Sequence, residues 1–173
     1  MSKAVTILLG IDPGTLVVGY GAIVVASSGP RFLAAGVFRA PRTASVPERL
    51  GSLRSDLDEL LARIRPSVVA IEEAFHGVNP QSALRIGEGR GVALACAVTF
   101  GAKVFQYPPA VAKKSVAGNG RASKSQVAEM VKLQLGKPDL ELPEDATDAL
   151  ALALTHFHRG QSAARLQSNV LRR

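Results

Sequence analysis

Cysteine is almost missing from this chain: Cys96 stands alone, inside the apolar run GVALACAVTF. A disulfide framework and a thiolate cluster are both excluded, and Cys96 reads as a small buried hydrophobe. Long hydrophobic runs are missing as well. The run from Gly91 to Ala102 falls short of the roughly 20 apolar residues that a spanning helix needs. The first residues carry one lysine and a short apolar run that stops at Asp12, with no small-residue cleavage site. They are expected to be a strand rather than a leader, and the protein to be cytoplasmic. Internal repeats and low-complexity segments are absent. Acidic residues are absent between Glu88 and Glu129, where Arg90, Lys103, Lys113, Lys114, Arg121 and Lys124 are all basic. With a net charge of +7, that asymmetry points to a polyanionic partner, nucleic acid first, rather than to a charge that only solvates a face.

What is present suits one domain with a real core: 173 residues, 47% of them apolar. The chain is organised around LLGIDPGTLVVGYGAIVV, residues 8–25. An apolar run ends in a carboxylate, Asp12, and Pro13-Gly14 follow at once. Asp12-Pro13-Gly14-Thr15 reads as a type II turn, with Pro presetting φ and Gly accepting φ > 0. Val17 to Val25 is again β-branched and apolar, so the unit is a hairpin with an acid at its rim. Gly19 and Gly21 let some other backbone come close to the second strand.

Arg31–Arg39 reads as a third strand after the turn Ser27-Ser28-Gly29-Pro30. Ser45 and Glu48 form a capping box that opens a helix, whose leucines from Leu50 to Leu61 fall on one face until Arg65-Pro66 stops it. Residues 67–73, SVVAIEE, are a short apolar strand that also ends in acids, and a strand–helix–strand series implies parallel pairing. A long helix is expected from about Gln81 to Phe100. Gly87, Gly91 and Ala95 recur on it every four residues, a smooth stripe for close packing against this chain or a second copy. Lys103–Tyr107 is a fifth strand, and Pro108-Pro109 opens a short helix ending near Gly118. Ser123 and Gln126 form another capping box, with Lys124 in a first turn where the helix dipole disfavours a cation and a bound phosphate would compensate it. A last helix is expected from Pro143 to about His158. Residues 1–159 then form the domain, and 160–173 a polar, basic, mobile tail.

That last helix reads PEDATDALALALTHFH. Asp145 and Asp148 project from one face near its start, and ALALAL marks a helix buried on most sides. The dipole accounts for Glu144 and Asp145 but less well for Asp148, which borders the buried stretch with no base nearby in sequence until Arg159. Carboxylates thus end the first strand (Asp12), end the fourth (Glu72 or Glu73) and lie on a buried helix. If those strands are neighbours, the acids meet at one sheet edge and raise one another's pKa unless a cation sits among them. Ligands that are all oxygen, without His or Cys, suit Mg²⁺ or Mn²⁺ rather than zinc. Two such ions can promote phosphodiester cleavage.

The segments LLGIDPGTLVVGYGAI, VVAIEEAF, NPQSALRIGEGRGVALA, KKSVAGNGRASKSQV and DATDALALALTH, in this order, make the chain resemble the RuvC family of Holliday-junction resolvases over nearly its full length. The resemblance implies an α/β, ribonuclease-H-like fold, a five-stranded mixed sheet flanked by helices. It also implies a homodimer acting on four-way junction DNA, and partnership with the RuvA–RuvB branch-migration complex. It carries four metal-binding carboxylates onto Asp12, Glu72, Asp145 and Asp148, choosing Glu72 over Glu73, for two Mg²⁺ or Mn²⁺ ions per site. Phe75 becomes a DNA-wedging aromatic, and Lys113 and Lys124 phosphate-binding lysines. Arg121, in the same basic segment, joins the expected DNA contacts. The stripe Gly87, Gly91, Ala95 is the expected dimer seam. His76, His156 and His158 read as structural or surface residues.

Two other classes compete. Gly-Ile-Asp-x-Gly also opens actin-like ATPases and sugar kinases, but those close two domains over a nucleotide, and no Gly-rich phosphate loop follows here. A non-catalytic junction-binding module would keep the basic run but need not keep four acids.

Overall fold

The computed structural model describes residues 5–73 and 79–170. Strand β1 (Thr6–Asp12) pairs antiparallel with β2 (Val17–Ala26), and β2 with β3 (Gly29–Arg39). After helix α1 (Val46–Ile64), β4 (Val68–Glu72) returns parallel to β1. Helix α2 (Pro80–Phe100) leads to β5 (Lys103–Tyr107), parallel to β4. The result is a five-stranded mixed sheet in the order β3-β2-β1-β4-β5. Helices α3 (Pro109–Ala117), α4 (Lys124–Gln134) and α5 (Glu144–Val170) complete the chain.

Strand periodicity sorts the core onto two faces. Leu9 and Ile11 of β1 and Val69 and Ile71 of β4 pack with α1 and α2, around Leu53, Leu57, Leu60, Ala93 and Ala97. The alternate residues face α5. Leu8 and Val68 join Leu150, Leu154 and Phe157, with Val127 and Val131 of α4, while Ala70 meets Leu152. Both capping boxes form. Ser45 N donates to Glu48 Oε2 at 2.7 Å, and Ser123 N donates to Gln126 Oε1 at 2.9 Å while Gln126 N donates to Ser123 Oγ at 3.2 Å.

Helix α5 lies almost in contact with the sheet backbone, and glycine makes that possible. A Cβ on Gly10 would stand 1.7 Å from Ala149 O, and one on Gly19 would stand 1.9 Å from Asp145 O. The close approach expected at Gly19 and Gly21 is therefore by α5, the helix that carries the acids.

Three local expectations are corrected. The turn after Asp12 is not type II, because that type needs φ > 0 at its third residue and Gly14 is not among the positive-φ glycines. Gly14 is required by the turn itself, where a Cβ would stand 2.3 Å from Val17 O; its own carbonyl oxygen lies 2.2 Å from where a Cβ on Gly89 would stand, so α2 passes close over the turn because residue 89 is glycine. The second hairpin turns more tightly than Ser27–Pro30 implies, since Gly29 and Pro30 already pair with Ala26 and Val25. Finally, α5 does not stop near His158. It runs on to Val170, into the residues expected as a polar, basic, mobile tail. Among the described residues, no helix is long and apolar enough to cross a membrane.

Candidate active site

Asp12 and Glu72 stand side by side because of period-2 alternation. β1 and β4 pair in register from Leu8↔Val68 to Ile11↔Ile71, so the next residues on each strand are Asp12 and Glu72. Positions 8, 10 and 12, like 68, 70 and 72, point toward α5. Glu73 falls on the other face and is exposed. Helix α5 then supplies Asp148 from above. Asp12, Glu72 and Asp148 line one cavity of ≈ 210 Å³ together with Lys113 of α3 and Lys124 of α4. Asp145 is half-buried on the same helix but is not part of this lining; its charge still acts on Asp12.

The electrostatics are those of an acid cluster short of positive charge. Burial pushes the Asp12 carboxyl up to about 8, and the charges of Glu72, Asp148 and Asp145 push it the same way. Burial also raises Glu72, with Asp148 adding to it, and Lys124 and Lys113 partly opposing. Asp148 is raised by burial despite Lys124. The Lys124 Nζ bonds Glu144 Oε1 and lies 3.4 Å from Asp148 Oδ2. A carboxylate pair thus compensates this lysine at the start of α4, where a phosphate was one expectation. Its own pKa is held above the usual range, by the Glu144 hydrogen bond first.

Among the described residues, no three acids are already drawn together as a finished ion cage. The donors nonetheless fit a hard divalent cation. They are all oxygens, and Asp12 carries the raised pKa that a nearby cation would relieve.

The end of β4 is braced by groups that sequence reasoning missed. Arg90 Nε of α2 donates to Glu72 O at 3.1 Å, and Glu73 N donates to Tyr107 O at 2.9 Å. Tyr107 is in turn tied to α5 by a 2.7 Å hydrogen bond between its hydroxyl and His156 Nδ1. In the sequence Arg90 is one more base of the acid-free run, and no local signal marks it as a brace. Of the other expected site residues, Arg121 stays exposed on the α3–α4 loop, where its backbone N–H donates to Asn119 Oδ1 at 3.0 Å. Phe75 lies outside the described residues.

The stripe on α2 points away from the sheet. Gly89, Ala93, Cys96 and Ala97 form the buried side of the helix, whereas Gly87, Gly91 and Ala95 are exposed. A Cβ on Gly87 or Gly91 would meet nothing within 4 Å. Packing of the stripe against this chain's own sheet is therefore excluded. Leu84 and Val98, each 63% exposed, extend the same stripe at both ends.

Comparison with known proteins decides the family. The sequence pattern of the RuvC crossover junction endodeoxyribonucleases matches residues 8–156. The chain belongs to the RuvC family. A RuvC crossover junction endodeoxyribonuclease of Alkalilimnicola ehrlichii is 44% identical over 160 residues, 92% of this chain and 96% of that relative. The one from Alkaliphilus oremlandii is 41% identical over 154 residues, 89% and 94% of the two chains. The structure of Thermus thermophilus RuvC in complex with Holliday junction substrate superposes with a TM-score of 0.84. It is 34% identical, covering 91% of this chain and 96% of that one. A yeast mitochondrial Holliday junction resolvase, 16% identical with a TM-score of 0.68, shares the fold. As a RuvC-family member the chain has a ribonuclease-H-like fold and is an endodeoxyribonuclease, a hydrolase.

Proposed function

We propose that this protein resolves Holliday junctions by nicking two opposed strands, one per subunit of a homodimer. The observation that carries this reading is the cavity in which Asp12, Glu72 and Asp148 face Lys113 and Lys124. Acids and lysines in one cavity suit a phosphodiester held for hydrolysis. The acids, with Asp145, would hold Mg²⁺ or Mn²⁺, two ions per site. Such ions supply water activation and stabilise the leaving oxygen, which gives 5′-phosphate and 3′-hydroxyl ends. The chain's own part is positional. Arg90 and Tyr107 fix the backbone that carries Glu72, and α5 carries Asp145 and Asp148 against β1 and β2. Lys113 and Lys124 offset phosphate charge, Lys124 by exchanging Glu144 for the DNA. Backbone contacts of this kind give affinity without reading sequence.

The exposed stripe Leu84, Gly87, Gly91, Ala95, Val98 on α2 supports the homodimer. It is apolar and smooth, and it has no partner in its own chain among the described residues. A two-fold seam there would place two sites symmetrically on a junction. The test is nicking of a four-way junction in Mg²⁺, with duplex and single-stranded DNA as controls. Paired, metal-dependent nicks in opposed strands are expected, and equal cutting of the controls would overturn junction selectivity.

Two further outcomes follow from the site. Lys124→Ala is expected to weaken junction binding and to lower the slope of log K against log salt by about 0.9, the value of one duplex phosphate contact. Titration against a labelled junction at several salt concentrations checks this. The second concerns pH. Asp12 sits at about 8 in the folded protein against an ordinary 3.8, so the metal-free native state holds a proton there that the unfolded chain has released. Its stabilising contribution is present at low pH and is lost as pH rises through about 8. Melting in EDTA should therefore fall progressively from about pH 4 to about pH 8 and level off above it, the part between pH 7 and pH 8 lying above the histidine range. Mg²⁺ should restore most of the loss, and a flat metal-free profile would contradict the carboxylate crowding.

A further inference from the structure

A second cavity, of ≈ 530 Å³, opens on the α1–α2 side of the sheet, away from Lys113 and Lys124. The turn after β1, Arg49 of α1, and Gln81, Ser82 and Arg85 of α2 line it. Both arginines are half-buried, and neither is ion-paired among the described residues. The residues outside those described contain no acid. Asp56, which shares a small adjoining cavity with Arg49, and Glu88, three residues along α2 from Arg85, are not ion-paired with either arginine. Arg49 is held by backbone oxygens instead, its Nε donating to Ala44 O at 2.8 Å and a terminal nitrogen to Arg42 O at 3.3 Å. The first turn of α2 contains no acid, so the positive end of the helix dipole adds to the potential without an opposing charge there. Hydroxyl and amide side chains beside two arginines without a counter-charge make a surface for anions, and the open cleft suits a chain of them.

The position of the cleft says which chain. Gly14 and Thr15 in its wall follow Asp12 by two and three residues, so the two cavities, which share no lining residue, flank the same β1–β2 turn. A strand with one phosphate at Asp12 and Glu72 must leave that cavity in two directions. Lys113 and Lys124 receive it on one side of the sheet edge; the turn Gly14–Thr15 leads to Arg49 and Arg85 on the other. We propose that this cleft is a second backbone-binding site, which takes junction-DNA phosphates flanking the cut on the side away from the lysines, with Arg85 as its principal contact. The proposal rests on the junction-cleaving function proposed above. Arg85 lies about 100° around α2 from Leu84 and further from Gly91, so it is beside the apolar stripe rather than on it.

The experiment compares wild type, Arg85→Ala, Arg85→Lys and Lys124→Ala for binding to a labelled four-way junction in EDTA across a salt series. Each sample is also checked for mass by sedimentation and for melting. Arg85→Ala is expected to weaken binding about ten-fold and to lower the salt slope by about 0.9, with dimer mass unchanged. Arg85→Lys should keep most of the slope. Should Arg85→Ala melt early, Arg85→Gln, which keeps the length of the stem, carries the measurement. An unchanged slope would overturn the proposal, and so would loss of the dimer in step with loss of binding. Lys124→Ala separates the two levels. If it weakens binding while Arg85→Ala does not, only the cleft assignment fails; if neither matters, the nuclease reading of the basic surface fails with it.

Discussion

Asp148→Asn is expected to abolish junction cleavage while leaving junction binding intact or stronger. The substitution keeps the size of the side chain and an oxygen toward Lys124, which lies 3.4 Å away, and it removes one negative charge from a cavity shared with Asp12 and Glu72. Changing groups that only support metal ligands typically costs 10–100-fold in affinity or activity, so loss of a ligand itself should cost at least about a hundred-fold in cleavage rate. Binding moves the other way, because DNA approaches a less negative cavity. Single-turnover cleavage and junction titration on the same protein check both halves. Cleavage at the wild-type rate would remove Asp148 from the proposed metal site. Loss of binding together with cleavage would mean the substitution had damaged the fold.

Gly91→Leu is expected to give folded monomers that bind junctions poorly and rarely nick both strands. The sign of its effect on stability makes this a sharp test. Were Gly91 packed inside its own chain, a leucine would overpack the interface and cost about 1–3 kcal/mol. It is exposed instead, and a Cβ there meets nothing within 4 Å. Replacing glycine in an exposed helix removes a penalty of about 1 kcal/mol, so the isolated subunit should melt no lower than wild type. A seam that relies on close approach of two backbones would be forced apart by the same side chain. Sedimentation should show monomers, and melting should show an intact fold. A Gly91→Leu protein that stays dimeric and nicks both strands would place the seam elsewhere.

Much of the site is legible in the sequence because it follows from short-range periodicity. Two apolar strands that end in acids are visible in the sequence; the choice of Glu72 over Glu73 rests there on the family resemblance, and the β1–β4 register in the structure sets Glu72 beside Asp12 and turns Glu73 away. The glycines at 19 and 21 signal a close neighbour, and the apolar stretch after Asp148 marks α5 as buried on most sides; that α5 is the neighbour appears only in the structure. What could not be read depends on contacts between distant segments. Asp148 has no base near it in sequence, yet Lys124 reaches it from another helix. Arg90, read only as a positive charge, holds the backbone of Glu72. Arg49 and Arg85 escape notice because they lie outside the acid-free run and meet only in space. Gly14 shows the opposite error. Its dipeptide with Pro13 is a strong turn signal, but the Val17 carbonyl, 2.3 Å from where a Cβ would stand, accounts for the glycine without the backbone angle that the signal implies. The extension of α5 to Val170 is not legible because a polar, basic composition suits the end of a helix as well as a mobile tail.

The role proposed for Asp12, Glu72, Asp145 and Asp148 is to hold divalent cations. It is tested most directly by soaking crystals of the protein in Mn²⁺ and recording anomalous diffraction. Strong peaks are expected among these side chains, with Asp12, Glu72 and Asp148 drawn toward them and Lys124 displaced from Asp148. A map with no peak among the four acids, at Mn²⁺ concentrations that support cleavage, would contradict it.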